Sequence, residues 1–258
     1  MADLTDGRGY TRRRGGARLW LSAGWLVLLT LAALLAPWIA PKDPLAQDLF
    51  LGRLPPFWVQ GAEPGYYLGT DSLGRDVLSR ILHGTRIALF VAVVAGVATC
   101  LIGATLGLLA GFLRGWVDVV ISRLIDIWMA FPPVLFSILL IAVLGTGLWS
   151  IILAIVVIDW TRFARVVRAE AMAQGAMDYV ASAQVAGRTR LSTMVREILP
   201  NVLPTIVVLL TLEMGIAVIV EAILSFVNLS ISTDDPTWGG MIAEGRTSIH
   251  QAWWVLVF

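Results

Sequence analysis

The chain has 258 residues, of which 58% are hydrophobic and 14% charged, with a net charge of +1, a pI near 7.9 and a mean hydropathy of +0.81. So large an apolar excess does not belong to a soluble domain of this length and places the chain in a bilayer. The near-neutral charge and scattered arginines exclude nucleic acid as a partner, because phosphate neutralisation needs a concentrated basic face. The single Cys100, inside an apolar run, excludes an intrachain disulfide and a thiolate metal site.

A helix crossing about 30 Å of hydrocarbon needs roughly 20 apolar residues, since lipid offers backbone groups no partners. In chain order, residues 1–18 form a tail carrying Arg8, Arg12, Arg13, Arg14 and Arg18, and the first span follows from Leu19 to Ala40. That run is longer than the apolar core of a signal peptide and is read as a retained helix. Residues 41–86 form a polar loop, and the remainder, 87–258, a membrane core. Its predicted spans run from Ile87 to Phe112, Val119 to Leu144, Leu148 to Ala164 and Val202 to Leu229. A sixth begins near Ala252 and stops at Phe258, which reads as a helix cut short.

Orientation follows from arginine and lysine bias. The basic tail and the cluster Arg162, Arg165, Arg168, Arg188, Arg190 and Arg196 are separated by an even number of spans, so both are expected on the cytoplasmic side. The 41–86 loop and the stretch from Ser230 to Gln251 then face outward, with Asp43, Asp48, Glu63, Asp71, Asp76, Asp234, Asp235 and Glu244. Tryptophans such as Trp20, Trp38, Trp116 and Trp160 fall near span ends, where interfacial anchoring accounts for them.

The cytoplasmic connection, about residues 165–200, has apolar residues at helical spacing and is predicted to form short surface helices. Gly187 permits a positive φ and a reversal between them, and Leu199-Pro200-Asn201 is expected to end the second before the last full span. Ala181, Ser182, Ala183 and Ala186 are small enough to let another protein approach closely. The same pattern also suits an ordinary interfacial hairpin.

Acidic groups inside spans are costly and default to functional candidates. Asp126 is expected to pair with Arg123, three residues earlier, and Asp159 with Arg162. Glu213 and Glu221 lack basic neighbours in sequence and are candidates to line a pathway or face a partner. The only lysine is Lys42, so no P-loop is available to bind ATP. His83 and His250 stand alone without metal-ligand spacing, and no serine or zinc hydrolase motif is present. Two other readings stay open on the residues alone: a secondary transporter using Glu213, Glu221 or Asp126 as proton carriers, and a non-transporting scaffold.

The loop resembles the permeases of ATP-binding-cassette importers, whose cytoplasmic signature is Glu-Ala-Ala, a glycine four residues on and a distal Leu-Pro. Here it reads Ala181-Ser182-Ala183, Gly187 and Leu199-Pro200, with Ala181 replacing the glutamate, and Asp178-Tyr179-Val180 opening the segment. Further signatures of the peptide and nickel branch fall in order along nearly the whole chain. The run from Leu68 to Arg80 is the most specific. It is followed by Gly111-Phe112, Gly115-Trp116-Val117-Asp118, Phe131-Pro132, Trp160, Ala164-Arg165, Glu221-Ala222, Leu224-Ser225-Phe226 and Trp238-Gly239. Val227-Asn228-Leu229-Ser230 stands where that branch has glycines.

This resemblance implies an all-α integral membrane protein with the type I importer permease fold of about six spans. It implies a multi-pass bacterial inner-membrane subunit that pairs with a second, homologous permease, two ATPase subunits and a periplasmic solute-binding protein. The chain itself is then no enzyme and holds no cofactor, ATP and Mg residing on the ATPases. The implied cargo is a dipeptide, an oligopeptide or a related solute such as a nickel chelate.

Overall fold

The computed structural model describes residues 16–229 and 235–258. The arginines of the basic tail before Gly16, and Ser230 and Asp234 of the outward-facing stretch, lie outside these. Among the described residues the chain is helical, with one isolated bridge between Thr70 and Asp76.

Helix α1 (Ala17–Ile39) is apolar on all sides and buries only Ala33 and Ala36, the pattern of a helix solvated by lipid. Exposed Trp20 and Trp38 lie near its two ends, where interfacial side chains belong. Helix α2 (Val77–Leu113) starts ten residues before the predicted span, because Asp76 caps it by accepting from the Ser79 amide at 2.8 Å. Its 37 residues reach about 55 Å, more than a bilayer core requires. The first turns belong instead to a folded shelf outside it.

The predicted continuous span from Val119 to Leu144 is two helices, α3 (Gly115–Met129) and α4 (Pro133–Leu144), bent by 87°. Pro132 and Pro133 explain the break. Neither has an N–H to donate, and each disfavours a helical conformation in the residue before it. Helix α5 (Leu148–Gln174) continues ten residues past the predicted end at Ala164, leaving a shorter connection.

Three glycines fix how these helices meet. A Cβ at Gly103 would strike Trp160, Phe163 and Ala164; one at Gly107 would strike Ala164, Val167 and Arg168; one at Gly111 would strike Arg168, Ala171 and Met172. Successive α2 positions meet successive α5 positions, so the two helices run parallel with their backbones nearly touching. Parallel neighbours require the intervening chain to return to its starting end. The bent pair α3 and α4 therefore acts as one broken crossing, not as a loop that re-enters and leaves on the same side.

After α6 (Asp178–Val185), α7 (Arg190–Thr193) and a π-helical turn (Met194–Ile198), α8 (Leu199–Phe226) runs antiparallel to both. Val202 and Ile206 at its start pack with Leu108 and Val167, whereas Ala217 and Leu224 pack with Val91 and Ile151. Helices α9 (Trp238–Ser248) and α10 (Trp254–Val257) close over the beginning of α2, where Val77, Met241, Trp254 and Val255 form a separate apolar cluster.

The glycine contact gives a direct test. Gly107→Val places its Cβ 2.7 Å from the Ala164 carbonyl oxygen and 2.9 Å from the Val167 Cβ. Such overpacking should cost about 1–3 kcal/mol and lower the thermal midpoint followed by tryptophan fluorescence. Gly24→Val in α1, where a Cβ meets nothing within 4 Å, should leave the midpoint unchanged.

Candidate coupling loop, outer clamp and pathway wall

The candidate coupling loop, residues 178–200, is built as a braced knuckle. Met177 precedes α6, and Val180 turns inward, buried against Leu108, Val167, Ile198 and Val202. The Tyr179 hydroxyl donates to Gln174 Oε1 at 2.8 Å and accepts from Asn201 Nδ2 at 3.3 Å, tying α6 to both flanking helices. Gly187 has φ +85°, and the Arg188 amide reaches back to the Ala183 carbonyl at 3.1 Å, so a left-handed residue ends α6 as expected. Thr189 caps α7, and Arg188 is ion-paired with Glu197.

Pro200 does not end the second helix. The Leu199 amide bonds the Met194 carbonyl, five residues back, and the helical run continues from Arg190 to Phe226. A π-type register absorbs the missing proline donor that a strict α-helix would leave as a defect. Asp178, Ala181, Ser182 and Pro200 are exposed, Ala183 and Leu199 half-buried. The outer edge is apolar: Val185 is 89% exposed and Leu191 67%.

At the other end, the run from Leu68 to Arg80 is a folded shelf. Gly69 and Gly74 have φ +79° and +75°, and side chains there would collide with the backbones of Leu54 and Asp48. The Thr70 hydroxyl donates to the Leu51 carbonyl at 2.5 Å and accepts from the Leu54 amide at 2.8 Å, while Trp254 Nε1 donates to the Thr70 carbonyl at 3.2 Å.

Four charges lock this shelf. Arg75, 1% exposed, donates to Asp71 through Nε at 2.7 Å and to Glu244 of α9 through Nη2 at 2.7 Å. Arg80 approaches Asp71 at 3.3 Å and Glu244 at 3.6 Å. Asp71 also accepts from the amides of Leu73 and Arg75. Burial opposes the charge on Arg75, but Asp71 and then Glu244 outweigh it and hold its pKa above the ordinary guanidinium value. Burial pushes the neighbouring Asp76 carboxyl up, against the pull of Ser79 and Lys42. Glu244 was invisible as a partner from sequence, lying 169 positions from Arg75.

A third group of charges lies along α5. Arg162 lies 3.4 Å from Asp159, the expected pair, and 3.5 Å from Glu213 of α8. Asp126 pairs with Arg165 of α5 at 3.1 Å instead of with Arg123, because its face of α3 meets α5. Arg168 makes a two-pronged pair with Asp118. Glu221, buried two turns beyond Glu213, accepts from the Ser225 hydroxyl at 2.5 Å. The sequence put Glu213 and Asp159 on different helices with no link; the structure brings them to one arginine.

Residues 103–258 match the family of binding-protein-dependent transport system inner membrane components. The chain belongs to that family. Residues 19–56 of this inner membrane component additionally match the N-terminal TM domain of oligopeptide transport permease C. It is 38% identical over 232 residues to the di/tripeptide transport system permease protein DppC of Pseudomonas aeruginosa, covering 90% of this chain and 77% of that one. It is 37% identical to the dipeptide transport system permease protein DppC of Haemophilus influenzae, over 96% of this chain and 83% of the relative. The glutathione transport system permease protein GsiD of Pectobacterium atrosepticum is 36% identical, at 98% and 83% coverage. The resemblance read from the sequence is thus shown at the level of family and fold: this is a multi-pass, all-α inner membrane permease.

Two outcomes follow from the shelf. Arg75→Met leaves the buried Asp71 and the partly exposed Glu244 with only the longer contacts to Arg80 and should cost about 3 kcal/mol, seen as a fall in the unfolding midpoint. Asp76→Asn should be tolerated, since Asn caps as well as Asp and removes a buried charge, whereas Asp76→Ala loses the cap and about 1 kcal/mol. The sign is fixed by the raised pKa: ionised Asp76 is worse off folded than unfolded, so its contribution falls as pH rises through its folded pKa. Asp76→Asn should flatten that decline in a pH series of midpoints.

Proposed function

We propose that this permease forms half of the translocation pathway of an ATP-driven, binding-protein-dependent importer of peptides, coupled through residues 178–200 to cytoplasmic ATPase subunits. The relatives whose names specify dipeptides, tripeptides or glutathione support peptides as the cargo class. The observation that carries the coupling role is the braced knuckle. Its interior is pinned by Val180, Tyr179 and the Arg188–Glu197 pair, yet it presents Val185 and Leu191 to solvent. A rigid element with an unpartnered apolar edge suits a second protein's groove.

In this reading the knuckle and the N-terminus face the cytoplasm, in keeping with the arginine bias and with the parallel arrangement of α2 and α5. A second, homologous permease completes the pathway, a periplasmic solute-binding protein delivers the peptide, and ATP with Mg is bound by the two ATPases. Their nucleotide state drives the rocking between inward-open and outward-open forms. Swinging such an equilibrium from 1:99 to 99:1 takes about 5.5 kcal/mol of differential binding. A braced loop transmits that energy where a slack one would dissipate it.

Val185→Asp changes only an exposed side chain, and Gly187→Trp is opposed by φ +85° but not by any neighbour. Both should insert normally. In the reconstituted complex each should reduce peptide-stimulated ATP hydrolysis and uptake at least about tenfold. Undiminished uptake would refute the coupling role. Uptake by the chain alone that collapses with the proton gradient would instead establish a secondary transporter.

A further inference from the structure

Arg162 lies roughly 20 Å along α5 from its start, and Glu213 about equally far from the two ends of α8, so the two meet midway along α8. Charged groups on membrane helices face water or protein, not lipid. Asp159 and Glu213 are 6% and 2% exposed at their side chains, while Arg162 is 43% exposed. One Glu213 oxygen, Oε2, faces Arg162, and the other, Oε1, is buried with no hydrogen-bond donor. Two carboxylates therefore share one guanidinium at a place where a buried oxygen without a donor is expensive.

Beside this cluster is a cavity of about 60 Å³, lined by Asp159, Arg162, Thr161 and Ile158 of α5 and by Trp128 and Phe131 at the bend between α3 and α4. That is room for a small headgroup, not a whole solute. Its aromatic wall is fixed. Trp128 Nε1 donates to the Val157 carbonyl at 2.6 Å, and the ring meets Trp160 and Phe136 edge-on, while Phe131 stacks on Phe136. A carboxylate with aromatic rings in a small recess is the chemistry that receives a primary ammonium, through a charge-assisted hydrogen bond and cation–π attraction.

From this geometry we infer that the recess between α5 and the α3–α4 bend is a subsite for the α-ammonium group of the transported peptide. Asp159 is the contacting carboxylate, Trp128 and Phe131 are the walls, and Arg162, shared with Glu213, holds Asp159 in place. The inference rests on the importer reading above. It adds that the pathway of this subunit recognises one end of its cargo and is not a uniform conduit.

The test uses the complete importer, with its partner permease, ATPases and binding protein. In detergent, wild-type complex is treated with a carbodiimide, and modification of Asp159 and Glu213 is followed by mass spectrometry. A dipeptide with a free amino terminus, added directly at millimolar concentration, should slow modification at least about threefold, and its N-acetylated analogue should not. Equal protection by both, or by neither, overturns the subsite. In liposomes, Asp159→Asn should reduce ATP-driven uptake of the free dipeptide at least about tenfold, through KM more than through the maximal rate. Asp159→Glu should restore most of the uptake. Wild-type uptake by Asp159→Asn, or an unchanged KM with a lower maximal rate, overturns the inference and leaves the importer reading intact; wild-type complex that shows no ATP-driven uptake defeats the importer reading itself.

Discussion

The close parallel contact of α2 with α5 is the constraint on which the rest of this permease depends. Gly103, Gly107 and Gly111 lie on one face of α2, one turn apart, and each leaves room for α5 backbone where a side chain would collide. In lipid there is little hydrophobic gain in bringing helices together, so packing at this distance and the contacts it permits have to hold them. Parallel packing forces α3 and α4 to return the chain between them, which places the Pro132-Pro133 bend beside the middle of α5. It also brings the last turns of α2 and α5 to the level of the knuckle, where Leu108, Val167 and Val180 share one cluster.

Several charged side chains along the bundle have a partner on another helix. Asp118 and Asp126 of α3 answer Arg168 and Arg165 of α5, and Glu213 of α8 answers Arg162. An exposed pair such as Asp126–Arg165 adds little, and at the buried Glu213 desolvation offsets much of the attraction although breaking the contact is costly. Such pairs therefore specify register more than they strengthen the bundle. The shelf follows the same logic at higher burial: two arginines and two carboxylates join a loop before α2 to α9, more than 160 positions later.

Much of this was legible in the sequence. Apolar runs located the long helices α1, α2 and α8, because lipid demands them, and Gly187 announced its turn because few other residues accept a positive φ. The motif from Leu68 to Arg80 was recognisable, and its features each serve the shelf, with glycines where backbones nearly touch, Thr70 as a hydrogen-bond hub, and Asp71 and Arg75 as the clamp. What escaped was whatever depends on a third element. Asp126 had a basic residue at helical spacing, but its face of α3 met α5, so Arg165 took the place of Arg123. The run from Val119 to Leu144 was apolar enough to be one helix, and hydropathy carries no information about the 87° bend that two prolines impose. The Gly103, Gly107, Gly111 stripe was present in the letters and was the available signal for the α2 to α5 contact.

Pro200 carries the most instructive difference, because it changes how force would travel. A helix ending there would have left a hinge between the knuckle and the last long helix. Instead the π turn from Met194 to Ile198 shifts the hydrogen-bond register by one residue, and a single helical run of 37 residues extends from Arg190 to Phe226. Arg188 grips Glu197 within that turn, Glu213 meets Arg162 midway, and beyond the run Gly239 of α9 sits against the Ala222 backbone. The knuckle, the buried charge cluster and the support for the outer clamp are thus attached to one continuous helical run. On the proposed coupling role, a push on Val185 or Leu191 would reach the contact between α8 and the α2–α5 pair without crossing a break in the helix at Pro200.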